Sequence, residues 1–335
     1  MRLIQVVPRL SPPAEGVGSY AVALAEALHD RFGIETRFVV REAGERTPEA
    51  LLASLEARIA EEEDDTPVLL HYANYGYQSR GCPAWLVRGL ARWKRRRAGR
   101  RLVTMFHEVW ASGPPWRSSF WLMPCQRRLA ASVARLSSSI ATSLDLYSRM
   151  VRPWTADREV RVLPVFSTVG EPATIPPFAA RTPRLVLFGG AGVRSRAWGR
   201  ELPDLAAACA ALEISEVLDI GPATATPERV GPARVRSLGV LPAAEVSALL
   251  LDARAGFLAY PPDFLPKSTI FAAYCAHGTL PVCAWRGRRL GAGPLPPFWR
   301  PGRGEDPEET AGRARTWYAE HSLDRQAMVF QELLA

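Results

Sequence analysis

The sequence predicts an α/β protein of two tandem domains, each a parallel sheet with crossover helices. Three observations predict it. The chain has 335 residues, more than one ordinary hydrophobic core organises. Short β-branched apolar runs alternate with segments of helical periodicity, the pattern of parallel strands joined by helices. The alternation breaks once, at the proline-rich stretch STVGEPATIPPFAARTP, and then restarts.

The elements follow in order. LIQVV (3–7) is a buried strand, and SYAVALAEALHDRFG has helical spacing and stops at Gly33, a C-cap residue. Strands at 37–40, 67–71, 101–107 and 160–165, with a short one in SSSIATS, alternate with helices in LLASLEARIAEE, PAWLVRGLARWKRRRAG and QRRLAASVARL. After the linker, strands at 184–188, 216–220, 235–238, 255–259 and 280–284 alternate with helices in ELPDLAAACAALE, AAEVSALLLDA and the segment that begins near Lys267. The expected domains are 1–170 and 182–304. Helices over 305–335 are expected to pack back on the first.

Composition excludes several classes. Hydrophobic residues make up 47% and charged residues 23%, as in a soluble globular protein. No segment has the unbroken apolar length of a bilayer span. MRLIQVVPRL lacks a leader's cleavage site and reads as a first strand, so the expected location is cytoplasmic. Five scattered cysteines without a CxxC argue against zinc or a disulfide framework and read as buried reduced thiols. The net charge of +8 is concentrated in RGLARWKRRRAGRR, whose ends are Arg88 and Arg101. Trp85, Leu86, Leu90 and Trp93 lie among those cations. That mixture suggests contact with an anionic membrane at its inner face; a solvated basic helix is the alternative. No nucleic-acid recognition motif accompanies the charge, so nucleic acid is not an expected partner.

Ligands in open parallel sheets bind beyond the carboxyl ends of the strands, which directs attention to four loops. AEGVGSY places Gly16 and Gly18 at the start of a helix, where backbone N–H groups can meet a phosphate. FGGAGVRSRAW sets glycines beside Arg194 and Arg196; it lacks the GxGxxG spacing of a dinucleotide site. PPDFLPKST carries Lys267, one of only two lysines among 42 basic residues, next to the capping residue Ser268. The other, Lys94, stands in an arginine run where any cation serves. A compact ammonium fits a tight phosphate niche that a wide guanidinium fork does not. MFHEVW places His107 and Glu108 at the carboxyl end of a strand.

These loops, in this order, resemble the GT-B glycosyltransferases, specifically the large retaining family 4. The matching pieces are EGVGSYAVALAEAL, TMFHEVW, VLPV, LFGGAG, SLGVLPAAEVSALLLDARAGFLAY and AAYCAHGTLPV, which together span about residues 1–290. The resemblance implies two Rossmann-like domains with parallel sheets facing across a cleft, the second binding a nucleotide sugar and the first an acceptor. It implies a retaining, metal-independent transfer from a UDP- or GDP-type donor to a glycan or lipid-linked glycan, as in surface polysaccharide assembly, with no cofactor. His107, Lys267 and Arg196 are the expected catalytic residues. Gly16, Gly18, Gly190, Arg194, Gly239, Asp263, Ser268 and Thr269 are expected around the donor. The aromatic-rich segments NYGYQSRGCPAW and WASGPPWRSSFWL follow strands of the first domain, so Tyr75, Tyr77, Glu108, Trp110 and Trp116 are expected at the acceptor. The family's pair of glutamates, eight residues apart, is missing. Asp263 is the acid nearest the first, and Ala273 or Tyr274 occupies the place of the second, ribose-binding one. The missing pair keeps open a catalytically silent nucleotide-sugar-binding or scaffolding protein, and a nucleotide-sugar epimerase is a further rival.

Overall fold

The computed structural model describes residues 1–10, 16–40, 45–59, 66–111, 113–289, 291 and 293–335. The chain divides into two compact units, one of residues 1–164 with 323–335 and one of residues 165–322.

The first unit contains β1 (Arg2–Val7), α1 (Gly16–Phe32), β2 (Glu35–Val40), α2 (Pro48–Glu56), β3 (Val68–Tyr72), α3 (Asn74–Tyr77), α4 (Ala84–Arg96), β4 (Leu102–Phe106), α5 (Ser118–Leu136), β5 (Ser139–Thr142), α6 (Asp145–Val151) and β6 (Val160–Val162). The sheet runs β2-β1-β3-β4-β5-β6 with every pair parallel. In register, Val6 lies between Val39 and Leu70. β3 and β4 are buried along their whole length, which is why they read as continuous apolar runs and not as alternating ones.

The second unit contains β7 (Thr182–Phe188), α7 (Ala191–Trp198), α8 (Leu202–Ala211), β8 (Glu216–Ile220), β9 (Arg229–Val230), β10 (Ala233–Gly239), α9 (Ala243–Asp252), β11 (Ala253–Ala259), α10 (Thr269–Ala276), β12 (Leu280–Ala284) and α11 (Pro307–Ala319). A 3₁₀ turn, Pro262–Lys267, precedes α10. The order is β12-β11-β7-β8-β10-β9, parallel throughout except for the short β9. Arg181 is buried beneath this sheet and donates to the carbonyls of Leu250, Ala253 and His277 at 3.1, 3.0 and 2.6 Å, tying the ends of α9 and α10 together. Burial pulls its pKa down to about 10.

Several expectations change. The terminal helices do not act as one group. α11 packs on α10 and β12 within the second unit, whereas α12 (Leu323–Leu334) packs on α1 in the first. There, the Tyr20 hydroxyl donates to Gln326 at 2.5 Å and Arg31 pairs with Asp324 at 2.9 Å. α5 begins at Ser118, eight residues before the apolar periodicity becomes legible. Residues 60–62 of the expected second helix lie outside the described residues; α2 itself ends at Glu56.

The basic helix is also different from its expected form. Trp85, Leu86, Leu90 and Trp93 of α4 are buried in the first unit's own core. The amphipathic pattern therefore marks a core-facing stripe and not a membrane-inserting face. Gly89 lies on that stripe, and a Cβ there would sit 2.7 Å from Leu51 Cδ2 of α2. Beside that stripe, Arg92 pairs with Glu49 and Arg96 with Glu56, both on α2. The Lys94 ammonium has specific partners: it donates to the Leu136 carbonyl at the end of α5 and to Ser138 Oγ at 3.1 Å. No helix among the described residues is long and apolar enough to cross a membrane. Among the cysteines, Cys209, Cys275 and Cys283 are buried, Cys82 is half-buried and Cys125 is exposed.

Candidate functional site

In the second unit the chain leaves β7 toward β8 on one side and returns to β11 on the other. The carboxyl ends of β7 and β11 therefore flank a topological switch point, where ligands of open α/β sheets bind. Two helices start there. α7 begins after Gly190, whose position as N-cap supplies no side chain to its first-turn N–H groups. α10 begins after Ser268, whose hydroxyl accepts from Phe271 N at 3.3 Å. The two starts are in close contact. Gly189 has φ +120°, and a Cβ on it would lie 2.5 Å from Ile270 Cδ1 in the first turn of α10. Only glycine fits this turn. Two positive helix ends meeting at one crevice favour an anion.

Lys267 closes the 3₁₀ turn immediately before that cap, half-buried, with its ammonium 5.6 Å from the centroid of Phe264. Thr269 is the first residue of α10. Gly239 ends β10 with φ +71° and open space around its Cα; its carbonyl accepts from Gly221 N at 2.7 Å. Arg196 is exposed and stacks 4.6 Å above the ring of Trp285. Asp263 accepts from Arg289 Nε and Nη2 at 3.2 and 3.1 Å, so its carboxylate is held by a cation of the chain itself.

Arg194, expected to reach a donor, lies inside the unit. It is 1% exposed and pairs with Asp219, itself 3% exposed. Its Nε donates to the Gly189 carbonyl and one Nη to Thr224, both at 3.0 Å, while the other Nη donates to the Pro222 carbonyl. Trp198 Nε1 donates to the second oxygen of Asp219 at 2.9 Å. The guanidinium fork thus fixes the loops that follow β7 and β8 from behind. Tyr274 is likewise no ribose ligand: its hydroxyl lies 3.0 and 3.1 Å from the carbonyls of Val186 and Phe257, under the sheet. Gly256 makes room for that ring, since a Cβ there would approach it to 2.3 Å. Ala273 is fully buried beside it.

In the first unit, α1 starts at Gly16, and Gly18 lies in its first turn against the chain leaving β1; a Cβ on Gly18 would meet the Arg9 carbonyl at 2.6 Å. His107 follows β4 and is buried with two residues that sequence reasoning missed. Gln5 Oε1 lies 2.7 Å from His71 Nε2, and His71 Nδ1 lies 3.0 Å from His107 Nε2. Tyr20 sets its ring edge-on to both imidazoles, at centroid distances of 5.8 and 4.9 Å. With the carboxamide oxygen accepting from His71 Nε2–H, His71 Nδ1 is an acceptor, and His107 must present Nε2–H to it. Burial first, and the neighbouring His107 second, hold the His71 pKa well below the ordinary histidine value. The signal for this chain was the presence of one glutamine and one histidine in the apolar strands LIQVV and VLLHY, because a buried polar group needs a partner.

The expected acceptor residues scatter. Tyr77 is 2% exposed, and its hydroxyl lies 3.0 and 3.1 Å from the carbonyls of Val6 and His71, so it supports the sheet and offers no acceptor surface. Tyr75 is partly exposed and accepts from Gln126 at 3.0 Å. Trp110 packs edge-on against Trp154 at 5.7 Å. Glu108 is half-buried, and its backbone N–H donates to the Tyr72 carbonyl at 3.2 Å. Trp116 is 84% exposed and, with Trp121 at 71%, forms an aromatic surface at the start of α5.

Two Rossmann-like units in tandem, with these sheet orders, are the fold of the GT-B glycosyltransferases, and solved structures agree. The chain is similar to AviGT4, a glycosyltransferase involved in avilamycin A biosynthesis, at 14% identity and TM-score 0.57, over 99% of this chain and 96% of that one. It is similar to an alpha-glucosyltransferase in complex with UDP-glucose and DNA containing an abasic site, at 13% identity and TM-score 0.55, over 99% and 94%. The S. aureus MnaA–UDP co-structure matches at 8% identity and TM-score 0.50, over 97% and 90%. No family model matches the sequence, and no curated protein matches it.

Proposed function

We propose that the chain is a glycosyltransferase that binds a nucleotide sugar by its diphosphate at the starts of α7 and α10. The carrying observation is the convergence of those two helix starts at the β7–β11 switch point, with Lys267 adjoining the cap of α10. Uncapped N–H groups of α7, the ammonium of Lys267 and the hydroxyls of Ser268 and Thr269 supply donors for diphosphate oxygens. Arg196, exposed on α7, is proposed as the second cation. Arg194 takes a positioning role, and Asp263 is set aside as a donor ligand because Arg289 holds it.

The chemistry proposed is retaining and metal-independent. The bond from the sugar's anomeric carbon to the diphosphate oxygen breaks, the acceptor oxygen bonds to that carbon from the same face, and the acceptor's proton passes to the departing phosphate. Charge building on the diphosphate is stabilised by Lys267 and the helix ends, which need no reorganisation as it appears. His107, fixed by His71 and Gln5, is assigned to the sugar. UDP is the donor nucleotide tried first, because two of the structural neighbours are described as complexes with UDP or UDP-glucose. The acceptor is proposed as a glycan or lipid-linked glycan of a surface polysaccharide. Exposed Trp116 and Trp121 with the charged face of α4 would hold it near the inner face of an anionic membrane.

A panel of UDP- and GDP-sugars, each with and without glycan, lipid-linked and DNA acceptors, tests the reading. DNA is included because one neighbour holds it. Acceptor-dependent release of nucleoside diphosphate supports a transferase. Binding without turnover favours the silent nucleotide-sugar-binding reading that the missing glutamates suggest, and acceptor-independent conversion of the sugar favours an epimerase.

A further inference from the structure

On the β12 edge of the second unit the chain passes the end of the strand, loops outward, and returns so that Trp299 bridges to Val282 in parallel. The returning loop and the start of α11 enclose a cavity of about 430 Å³. That volume is within the ordinary range for small-molecule sites, about 300–1,000 Å³. Its lining is uneven in charge. Arg289 is already held by Asp263 and by the Gly293 carbonyl at 3.0 Å. Arg300, Arg303 and Arg313 form no ion pair among the described residues, and they face the cavity with one carboxylate, Glu305. Arg300 lays its guanidinium 5.0 Å from the centroid of Phe298, and its Nε is buried with no acceptor. A smaller cavity of about 210 Å³ shares Trp285, Arg300 and Arg303, so these three side chains form the wall between two hollows. Trp285, Leu295 and Phe298 supply apolar and aromatic surface on which a sugar ring can rest.

Three arginines against one carboxylate leave the hollow with a net positive charge, which an anion would offset. We propose that this cavity is a second ligand site, for a phosphorylated sugar, with Arg300, Arg303 and Arg313 holding the phosphate and Trp285 and Phe298 bedding the ring. Arg196, Lys267 and the starts of α7 and α10 do not line this cavity, and the proposal does not depend on the donor reading.

Isothermal titration of the full chain with glucose 6-phosphate, inorganic phosphate and glucose tests it. Glucose 6-phosphate is expected to bind one per chain, at least about tenfold more tightly than inorganic phosphate, with no binding of glucose. Arg303→Gln/Arg313→Gln changes two exposed side chains and is expected to weaken glucose 6-phosphate about tenfold or more while the melting temperature holds. Saturating UDP is expected to leave the site occupied. No binding of glucose 6-phosphate up to about 10 mM, equal binding by the double variant, or displacement by UDP overturns the proposal. Phosphate binding as tight as glucose 6-phosphate reduces the hollow to an anion hole and overturns the sugar assignment. A chain that binds glucose 6-phosphate but not UDP would sink the donor reading and leave this one standing.

Discussion

Replacing Arg194 by alanine is the most quantitative perturbation the structure offers. The guanidinium is buried, and it satisfies Asp219, Thr224 and the carbonyls of Gly189 and Pro222. Its removal leaves the Asp219 carboxylate in the interior with Trp198 Nε1 at 2.9 Å and the more distant Thr224 hydroxyl at 3.5 Å. Removing one partner of such a buried pair costs about 3–5 kcal/mol, because the remaining charge is uncompensated. For a domain of roughly 150 residues each kcal/mol lowers the melting temperature by about 2–4 °C, so a drop of about 6–20 °C is expected. Asp219→Asn introduced into the alanine variant removes the orphaned charge and should recover part of that loss. A double-mutant cycle by calorimetry at pH 7 reads the coupling directly. UDP affinity should fall in step, since the freed carbonyls belong to the loops beyond β7 and β8. A single variant within about 1 kcal/mol of wild type, or a double variant no more stable than the single, would refute the reasoning.

Two further outcomes follow from the same geometry. Gly189→Ala puts a side chain at φ +120° and against Ile270, so it should lower stability by about 1–3 kcal/mol and weaken UDP binding; equal UDP affinity would detach this glycine from the site. Acid should destabilise the protein through its buried neutral histidines. His277 accepts from Ser247 at 2.8 Å, sets its other nitrogen 2.8 Å from the Ala273 carbonyl, and has its pKa pulled down to about 4 by burial; His71 is held low for the same reason. A depressed histidine pKa means that the unfolded chain takes up protons first. The stability is therefore complete above about pH 6.5 and falls as pH drops toward 4, by about 2 kcal/mol at pH 5 for His277. Urea unfolding at pH 7.5 and 5 should show a smaller difference for His277→Gln than for wild type, and identical differences would contradict the assignment.

The strands were legible because β3, β4, β8, β11 and β12 are covered on both faces, and continuous apolar runs advertise that condition. α7 was not legible. GGAGVRSRAW has glycines at its start and no apolar period, since its long charged residue Arg194 points inward to Asp219. The first two turns of α5 were hidden by serines and by Pro124 within the helix. α4 shows a limit of a different kind: an amphipathic stripe reads identically whether it meets lipid or the protein's own core. At the site, Lys267, Ser268 and the glycines stood out because turn and cap chemistry is local. The Gln5–His71–His107 chain joins β1, β3 and the end of β4, and the pairing of Arg194 with Asp219 joins α7 to β8. Both depend on which strands become neighbours, which no local pattern encodes.

The central claim is that a nucleoside diphosphate binds where α7 and α10 begin, with Lys267 as its cation. Calorimetric titration of UDP into wild type and Lys267→Ala tests it most directly. Loss of one charge-assisted contact, about 1.5–3 kcal/mol, should weaken UDP about 10- to 150-fold while uridine binds both proteins alike. Equal UDP affinities, or no binding of UDP or GDP to wild type, would contradict the account.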